Sequence, residues 1–190
     1  MIPSDHFVRF YNEVFKFLDE RNALADYYVE ISRHQELHCM DLYWNKGLQG
    51  MFEYAQRIIK EENCVADIDM VMDGKAYMWH MIKCPSLSKV IDNDAGPCRK
   101  YCRHCPGWGM PLYTKAGYYY VYNLVDEMVP ECYEYATEDK ETAEALHRKL
   151  LADGVSPDLI VTNLDQEATI EAAKARRHAG LPFQPAEGDN

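Results

Sequence analysis

Three of the chain's 7 cysteines lie in the octapeptide CRKYCRHC, which spans residues 98–105. Its spacing is C-x3-C-x2-C, so a helical turn would place Cys98, Cys102 and Cys105 on one face. Cysteine thiolates bind zinc or an iron–sulfur cluster. A tetrahedral metal site needs a fourth ligand, and the candidates for it in this chain are Cys84, His104 and Cys132.

The octapeptide also suits a nucleophilic thiol. Cations beside a cysteine lower the pKa of its thiol and so favour the reactive thiolate. Arg99, Arg103 and His104 surround Cys102. We therefore consider Cys102 as a nucleophile and His104 as its acid/base, with Arg99 and Arg103 binding the carboxylate of a substrate. A third alternative is that the cysteines only fill a core, since free cysteine is among the most buried residue types.

Other cysteines and histidines lie outside this segment. His80 stands four positions before Cys84 in a predicted strand, which makes it a candidate substrate-binding residue. Cys39 and Cys64 fall in helical sequence, and we expect both to fill the core. The sequence itself leaves metal binding, nucleophilic chemistry and structural burial open.

Composition narrows the class of protein. The chain has 190 residues, 47% of them hydrophobic, which is enough for one domain with a sizeable core. Its net charge of −11 disfavours nucleic acid and anionic membranes as partners. With 14 tyrosines we expect polar cavities for a small-molecule ligand or a broad interface such as that of a homo-oligomer.

The first twelve residues contain charges and no long apolar run, so we expect no signal peptide and a cytoplasmic location. No stretch approaches the roughly 18 apolar residues of a membrane span. In a reducing compartment the cysteines are expected to be thiols, ligands or nucleophiles rather than disulfides. An odd number of cysteines also excludes complete pairing within one chain.

Apolar periodicity predicts helices over residues 4–62, with a break at Asn22 and a weakening near Gly47 and Gly50. The pattern then changes to strands at 65–72 and 75–83. Asp73-Gly74 between them predicts a type I′ hairpin turn.

Shorter elements follow the first hairpin. Ser86 opens a predicted short helix, a helical turn carries the octapeptide, and PGWGMP is predicted to be a loop. The remaining predictions are strands at 117–126 and 131–137, a helix from Thr137 to Gly154, and a last helix at 165–179. Strands grouped apart from helices predict an α+β fold with an antiparallel sheet. The predicted organisation is a helical segment, residues 1–64, and a cysteine-rich α+β segment, residues 65–180, together one domain, with a loose tail at 181–190.

Three segments around cysteines resemble a family of small bacterial proteins. They are MIKCPSLSKVI, GPCRKYC and VPECYEY. Over residues 75–137 the chain resembles the L-2-amino-thiazoline-4-carboxylic acid hydrolase-like family and is distantly similar to 4-vinyl reductase domains. The resemblance implies that three cysteines occupy the family's positions and that Cys98 and Cys105 are additional. Those three cysteines are Cys84, Cys102 and Cys132.

Two departures from the family pattern stand in the chain. His104 and Cys105 occupy positions where the family carries an aspartate, and MVPEC replaces a glycine-containing turn. The resemblance implies a hydrolase that opens a thiazoline ring to N-carbamoyl-cysteine with a nucleophile or an activated water. We thus predict a small hydrolase acting on a C–N or C–S heterocycle or amidine, with a cysteine-lined metal site. The alternative is a non-catalytic zinc or iron–sulfur module, or a small-ligand sensor.

Overall fold

The structure is a computed structural model that describes residues 3–92 and 96–185. Within these residues the chain forms six α-helices and five strands. The helices are α1 (Pro3–Asp19), α2 (Leu24–Glu61), α3 (Pro85–Ile91), α4 (His104–Ala116), α5 (Lys140–Ala152) and α6 (Glu167–His178), and the strands are β1 (Val65–Val71), β2 (Ala76–Lys83), β3 (Tyr119–Leu124), β4 (Cys132–Thr137) and β5 (Ile160–Thr162). In the described residues, no helix is both long and apolar enough to cross a membrane.

The strands form one sheet in the order β1-β2-β4-β3-β5, and every neighbouring pair is antiparallel. Strand β4 therefore lies between the first hairpin and β3. The predicted α+β fold with an antiparallel sheet is confirmed. Strand β5 was not predicted, because three residues are too few to show a periodic pattern.

The two faces of the sheet pack against different helices. Side chains alternate along a strand, and the register aligns Trp79, Glu134 and Tyr122 in one row. This face, called the inner face here, packs against α2 and α4. The opposite or outer face packs against α5 and α6, with Tyr119 and Val121 in its core.

The first hairpin turns at Asp73-Gly74, as the sequence predicts. Asp73 has φ 58° and Gly74 has φ 79°, and the Lys75 amide donates to the Met72 carbonyl at 3.2 Å. Positive φ at both central residues is the signature of a type I′ turn, so this prediction is confirmed.

The helical first half is interrupted where the sequence predicts it. Asn22, between α1 and α2, has φ 54°. Gly47 has φ 61° and ψ −141°, which kinks α2 at that residue. A side chain at position 47 would be strained by this φ and would also approach the Tyr118 hydroxyl, at 3.1 Å from the added Cβ.

The prediction of a loop at PGWGMP is wrong, because these residues belong to α4. Pro106 is tolerated in the first helical turn, where its missing N–H has no intrahelical acceptor. Gly107 packs against the Tyr28 ring so closely that an added Cβ would come within 2.4 Å of it. Packing of α4 between α2 and the sheet thus outweighs the low helix propensity of its prolines and glycines.

Several predicted element ends also differ from the structure. Helix α3 is capped by Cys84, whose sulfur accepts from the Leu87 amide at 3.4 Å, and not by Ser86. Helix α5 is capped by Asp139, which accepts from the Thr142 amide, and not by Thr137.

The C-terminal segment that was predicted to be loose contacts α2 over its described residues, 181–185. The Trp44 indole donates to the Leu181 carbonyl at 2.8 Å. The Phe183 ring packs edge-on against Trp44, with 5.4 Å between ring centroids. The last five residues of the predicted tail lie outside the described residues.

Candidate functional site

The octapeptide does not form one continuous helix, so its cysteines do not share a face. Residues 101–103 form a 3-10 turn and α4 begins only at His104. Cys98 precedes both, and its backbone amide donates to Asn12 Oδ1 at 2.8 Å. Its thiol is buried with Phe15 and Val90 in the core between α1 and α3. Cys98 is thus a buried member of this core, which the partly buried Cys84 and Cys102 contact.

Four other cysteines lie together beside the inner face of the sheet. Ionisation of Cys105 would raise the pKa of the Cys84, Cys102 and Cys132 thiols, and ionisation of Cys84 or Cys132 would raise that of Cys102. We call Cys84, Cys102, Cys105 and Cys132 the thiol cluster. Burial raises the pKa of the Cys64 thiol to about 11, and Cys84 adds a smaller electrostatic effect.

Different elements position the members of the thiol cluster. Cys84 follows β2 and caps α3. Cys102 lies in the 3-10 turn and Cys105 in the first turn of α4. Cys132 begins β4 and lies on the inner face, where it is paired with Leu124. Segments that are distant in sequence thus converge because β4 inserts between β2 and β3.

Burial keeps these thiols protonated. Burial raises the pKa of Cys84 to about 11, and Cys105 adds a smaller electrostatic effect. Burial likewise raises the pKa of Cys105 to about 12, and Glu134 adds to that shift. The pKa of Cys102 and that of Cys132 are also raised, first by burial and then by the charge of Cys105. The flanking arginines therefore do not make Cys102 an acidic thiol, contrary to the prediction from sequence.

His104 contacts Cys105 and not Cys102. Its Nδ1 lies 2.5 Å from the Tyr101 carbonyl oxygen, and its Nε2 lies 3.4 Å from the Cys105 sulfur. A carbonyl only accepts, so we assign the proton to Nδ1, which leaves the Nε2 lone pair facing the thiol. Burial lowers the pKa of His104 despite the Tyr101 contact, which favours this neutral tautomer. The imidazole is thus oriented as a base toward Cys105.

A groove of about 850 Å³ lies beside His104. This volume is in the range of small-molecule sites. Tyr101 and His104 line the groove next to the thiol cluster, and Lys83, Lys89 and Ser86 supply polar groups. The arrangement suits a small, largely apolar ligand that carries an anionic group. Aromatic and apolar side chains form most of the groove walls: Phe7, Val8, Tyr11, Phe15, Tyr27, Tyr28, Ile31 and Trp108.

Glu134 is a half-buried acid on the inner face that the sequence did not reveal. Its Oε1 accepts from the Tyr113 hydroxyl at 2.6 Å, and its Oε2 accepts from the Tyr120 hydroxyl at 3.1 Å. Burial raises its pKa, although the two hydroxyls oppose the shift. Glu134 stands two residues after Cys132 on the same face of β4, and its charge acts on the thiol of Cys105.

His80, a predicted substrate-binding residue, lies away from the thiol cluster. It is on the outer face of the sheet, because it pairs with Tyr133 and alternates with the inward-facing Trp79. Its ring stacks on Tyr133 at 4.1 Å and its Nε2 contacts Glu131 at 2.9 Å.

The two predicted arginines do not line the groove either. Arg103 donates to Glu127 Oε1 at 2.8 Å, and Arg99 is exposed. Among the described residues that line the groove, the lysines are Lys83 and Lys89. A substrate carboxylate in the groove would therefore meet lysine rather than arginine.

The predicted metal ligands are not arranged as a metal site. In residues 3–92 and 96–185, no group of three or more His, Cys, Asp or Glu side chains has the geometry of one. The thiol cluster supplies the soft donors that zinc prefers, but its side chains would have to rotate to surround an ion.

Comparison of the chain with family models, with curated proteins and with solved structures gives no match. No match bears on the expected resemblance of residues 75–137 to the hydrolase-like family.

Proposed function

We propose that this protein is a small hydrolase that opens a C–N or C–S bond in a small heterocyclic or amidine-like substrate. One observation carries the proposal: His104 lines the groove, and its Nε2 lies 3.4 Å from the Cys105 sulfur. A base, a nucleophile and a substrate-sized groove are thus adjacent. The choice of substrate class comes from the family resemblance.

Cys105 takes the role of nucleophile in this proposal, in place of Cys102. His104 Nε2 removes the thiol proton as the sulfur attacks the electrophilic ring carbon. The same proton then passes from His104 to the leaving nitrogen or sulfur, and water releases the product from Cys105. The Tyr101 carbonyl holds Nδ1–H and so keeps the imidazole in the tautomer that this transfer needs. Cytoplasmic, reducing surroundings would keep the thiol free.

Substrate binding in the groove would use its aromatic walls and Lys83. Lys83 is exposed and lines the groove, so it can attract a carboxylate as Arg99 and Arg103 were predicted to do. Ser86, held at 2.6 Å from the Tyr101 hydroxyl, adds a hydrogen-bonding group on the same wall.

Turnover of 2-amino-thiazoline-4-carboxylate tests this proposal. Opening of the ring releases a new thiol, which a chromogenic disulfide reagent detects when substrate is in large excess over protein. We expect release by the wild type, loss of release in Cys105→Ser, and a fall of about 100-fold or more in kcat in His104→Gln.

Cys98→Ser is the matched control, since Cys98 belongs to the same octapeptide but is buried with Phe15 and Val90 between α1 and α3. Its turnover should equal that of the wild type. No thiol release by the wild type, or equal release by Cys105→Ser, would refute the proposal.

A second candidate function is a non-catalytic metal-binding module, and the four sulfurs of the thiol cluster, which are the soft donors that zinc prefers, favour it. A zinc ion or an iron–sulfur cluster would displace the thiol protons and neutralise the thiolates so formed. Zinc titration of the reduced protein, with elemental analysis after gel filtration, tests this. One zinc ion per chain that stays with the wild type and with Cys98→Ser but is lost from Cys132→Ser would support a metal site. If no zinc stays with the wild-type protein after gel filtration, a zinc module is excluded.

A further inference from the structure

Cys102 and Cys105 form a C-x2-C pair, Cys102-Arg103-His104-Cys105, at the point where the 3-10 turn passes into α4. In helical geometry two Cα atoms three residues apart are separated by about 5 Å. Disulfides span roughly 4.4–6.8 Å between Cα atoms. The backbone is thus already shaped to allow a bond between these two sulfurs.

The surroundings of the pair also suit thiol exchange. Both residues keep some accessible surface, and the charge of Cys105 is the strongest charge acting on Cys102. His104 Nε2 faces the Cys105 sulfur and can accept its proton. A base beside one thiol and a second thiol three residues away are the components that exchange requires.

The other cysteines of the region are held by local contacts. The Cys84 sulfur accepts from the Leu87 amide at 3.4 Å, and the Tyr122 side chain hydrogen-bonds to both Cys132 and Cys105. Cys98 lies in the core with Phe15. The C-x2-C spacing therefore selects Cys102 as the partner of Cys105, since the Tyr122 contact alone would not distinguish it from Cys132.

We propose that Cys102 and Cys105 form a reversible disulfide by exchange with a low-molecular-weight disulfide such as oxidised glutathione. His104 takes the Cys105 proton, and the thiolate attacks one sulfur of the oxidant and expels the first glutathione thiol. Cys102 then loses its proton, attacks the Cys105 sulfur of the mixed disulfide and expels the second thiol. Two electrons and two protons pass from the protein to the oxidant, which becomes two molecules of reduced glutathione.

This disulfide would block the thiol that the proposed hydrolase uses. It would then act as a redox switch on that site, a consequence that rests on the proposed function. Formation of the disulfide does not rest on it, because exchange needs only the two sulfurs and the neighbouring imidazole.

The test is equilibration of the full chain, freed of metal by a chelator, in glutathione buffers of graded oxidation under nitrogen. Acid quenching, alkylation of free thiols, proteolysis and mass spectrometry then locate each linkage. We expect one intramolecular disulfide, between Cys102 and Cys105, that dithiothreitol reverses. It should be lost in Cys102→Ser and kept in Cys98→Ser.

The wild-type linkage map decides the question even if a variant fails to fold. A disulfide between other cysteines, a stable glutathione adduct at Cys105, or fully reduced cysteines in the most oxidising buffer would each overturn the proposal. The readout is a covalent linkage and not turnover. A failed hydrolase assay with an intact Cys102–Cys105 linkage would therefore refute the proposed function alone.

Discussion

Replacement of Glu134 by glutamine should change how the stability of the protein depends on pH. Glutamine has the shape of the protonated acid but does not ionise. Burial raises the pKa of Glu134 above 4.5 in the folded protein, so the folded state keeps this proton at pH values where the unfolded state has lost it. The stabilising contribution of protonated Glu134 is complete below the unfolded pKa and is lost as pH rises toward the folded pKa.

One proton sets the magnitude of this effect. Between the two pKa values, a single carboxyl lowers the free energy of unfolding by at most about 1.4 kcal/mol per pH unit. Glu134→Gln removes this slope, so the variant should gain stability relative to the wild type as pH rises above 4.5. Urea unfolding, followed by circular dichroism at a series of pH values, measures the difference.

Glu138 offers a control with the opposite sign. Burial tends to raise the pKa of Glu138, but the hydrogen bond and charge of Arg177, with a contribution from His178, lower it. Its contribution is present above the unfolded pKa and lost as pH falls, so Glu138→Gln should destabilise most near neutral pH. Parallel stability curves for the wild type and Glu134→Gln across the whole pH range would refute the reasoning about Glu134.

Four further substitutions have clear expected outcomes. Gly74→Val should lower the free energy of unfolding by about 1 kcal/mol or more, because φ is 79° there, and an unchanged melting temperature would contradict this. Gly117→Ala should cost about 2–5 kcal/mol in urea unfolding, because positive φ adds to a Cβ placed 2.6 Å from the Lys174 backbone nitrogen. Gly154→Ala, with similar φ and no described atom within 4 Å, should cost only about 1–2 kcal/mol, and equal costs would refute the steric contribution. Lys83→Gln should raise KM for a carboxylate substrate about tenfold with kcat unchanged if this exposed lysine supplies roughly 1.4 kcal/mol of binding, and an unchanged KM would exclude that role.

Local sequence signals predicted the two hairpin strand pairs and the helical first half, because turns and periodicity act over a few residues. The Asp73-Gly74 turn and the break at Asn22 are examples. Helix α4 was missed because its prolines and glycines oppose a helix locally. Its formation depends on packing against Tyr28 and Tyr120, which are distant in sequence.

For the candidate site too, the sequence predicted some features and missed those that depend on contacts between distant segments. The family resemblance grouped Cys84, Cys102 and Cys132, whereas helical spacing wrongly placed Cys98 on one helix face with Cys102 and Cys105, because Cys98 precedes the 3-10 turn at residues 101–103. Glu134 was missed because its strand has the sequence Cys-Tyr-Glu-Tyr-Ala. The alternation in this sequence suggests that the two tyrosines face the core and that the glutamate faces solvent. The structure places Cys, Glu and Ala inward, and the inward Glu134 is paired with tyrosines from other elements.

The central position of β4 has a consequence for folding. Strands β1 and β2 can pair as soon as their own residues are available, but they join β3 only through β4, whose last residue is Thr137. Contacts between residues distant in sequence form late, because closing a long loop lowers the chain entropy before the stabilising contacts are made. Cys132 therefore reaches Cys84 only when β4 has paired with β2. Pulsed alkylation during refolding would then show Cys132 becoming protected together with the last strand pairing, which makes its thiol a chemical reporter of when the site assembles.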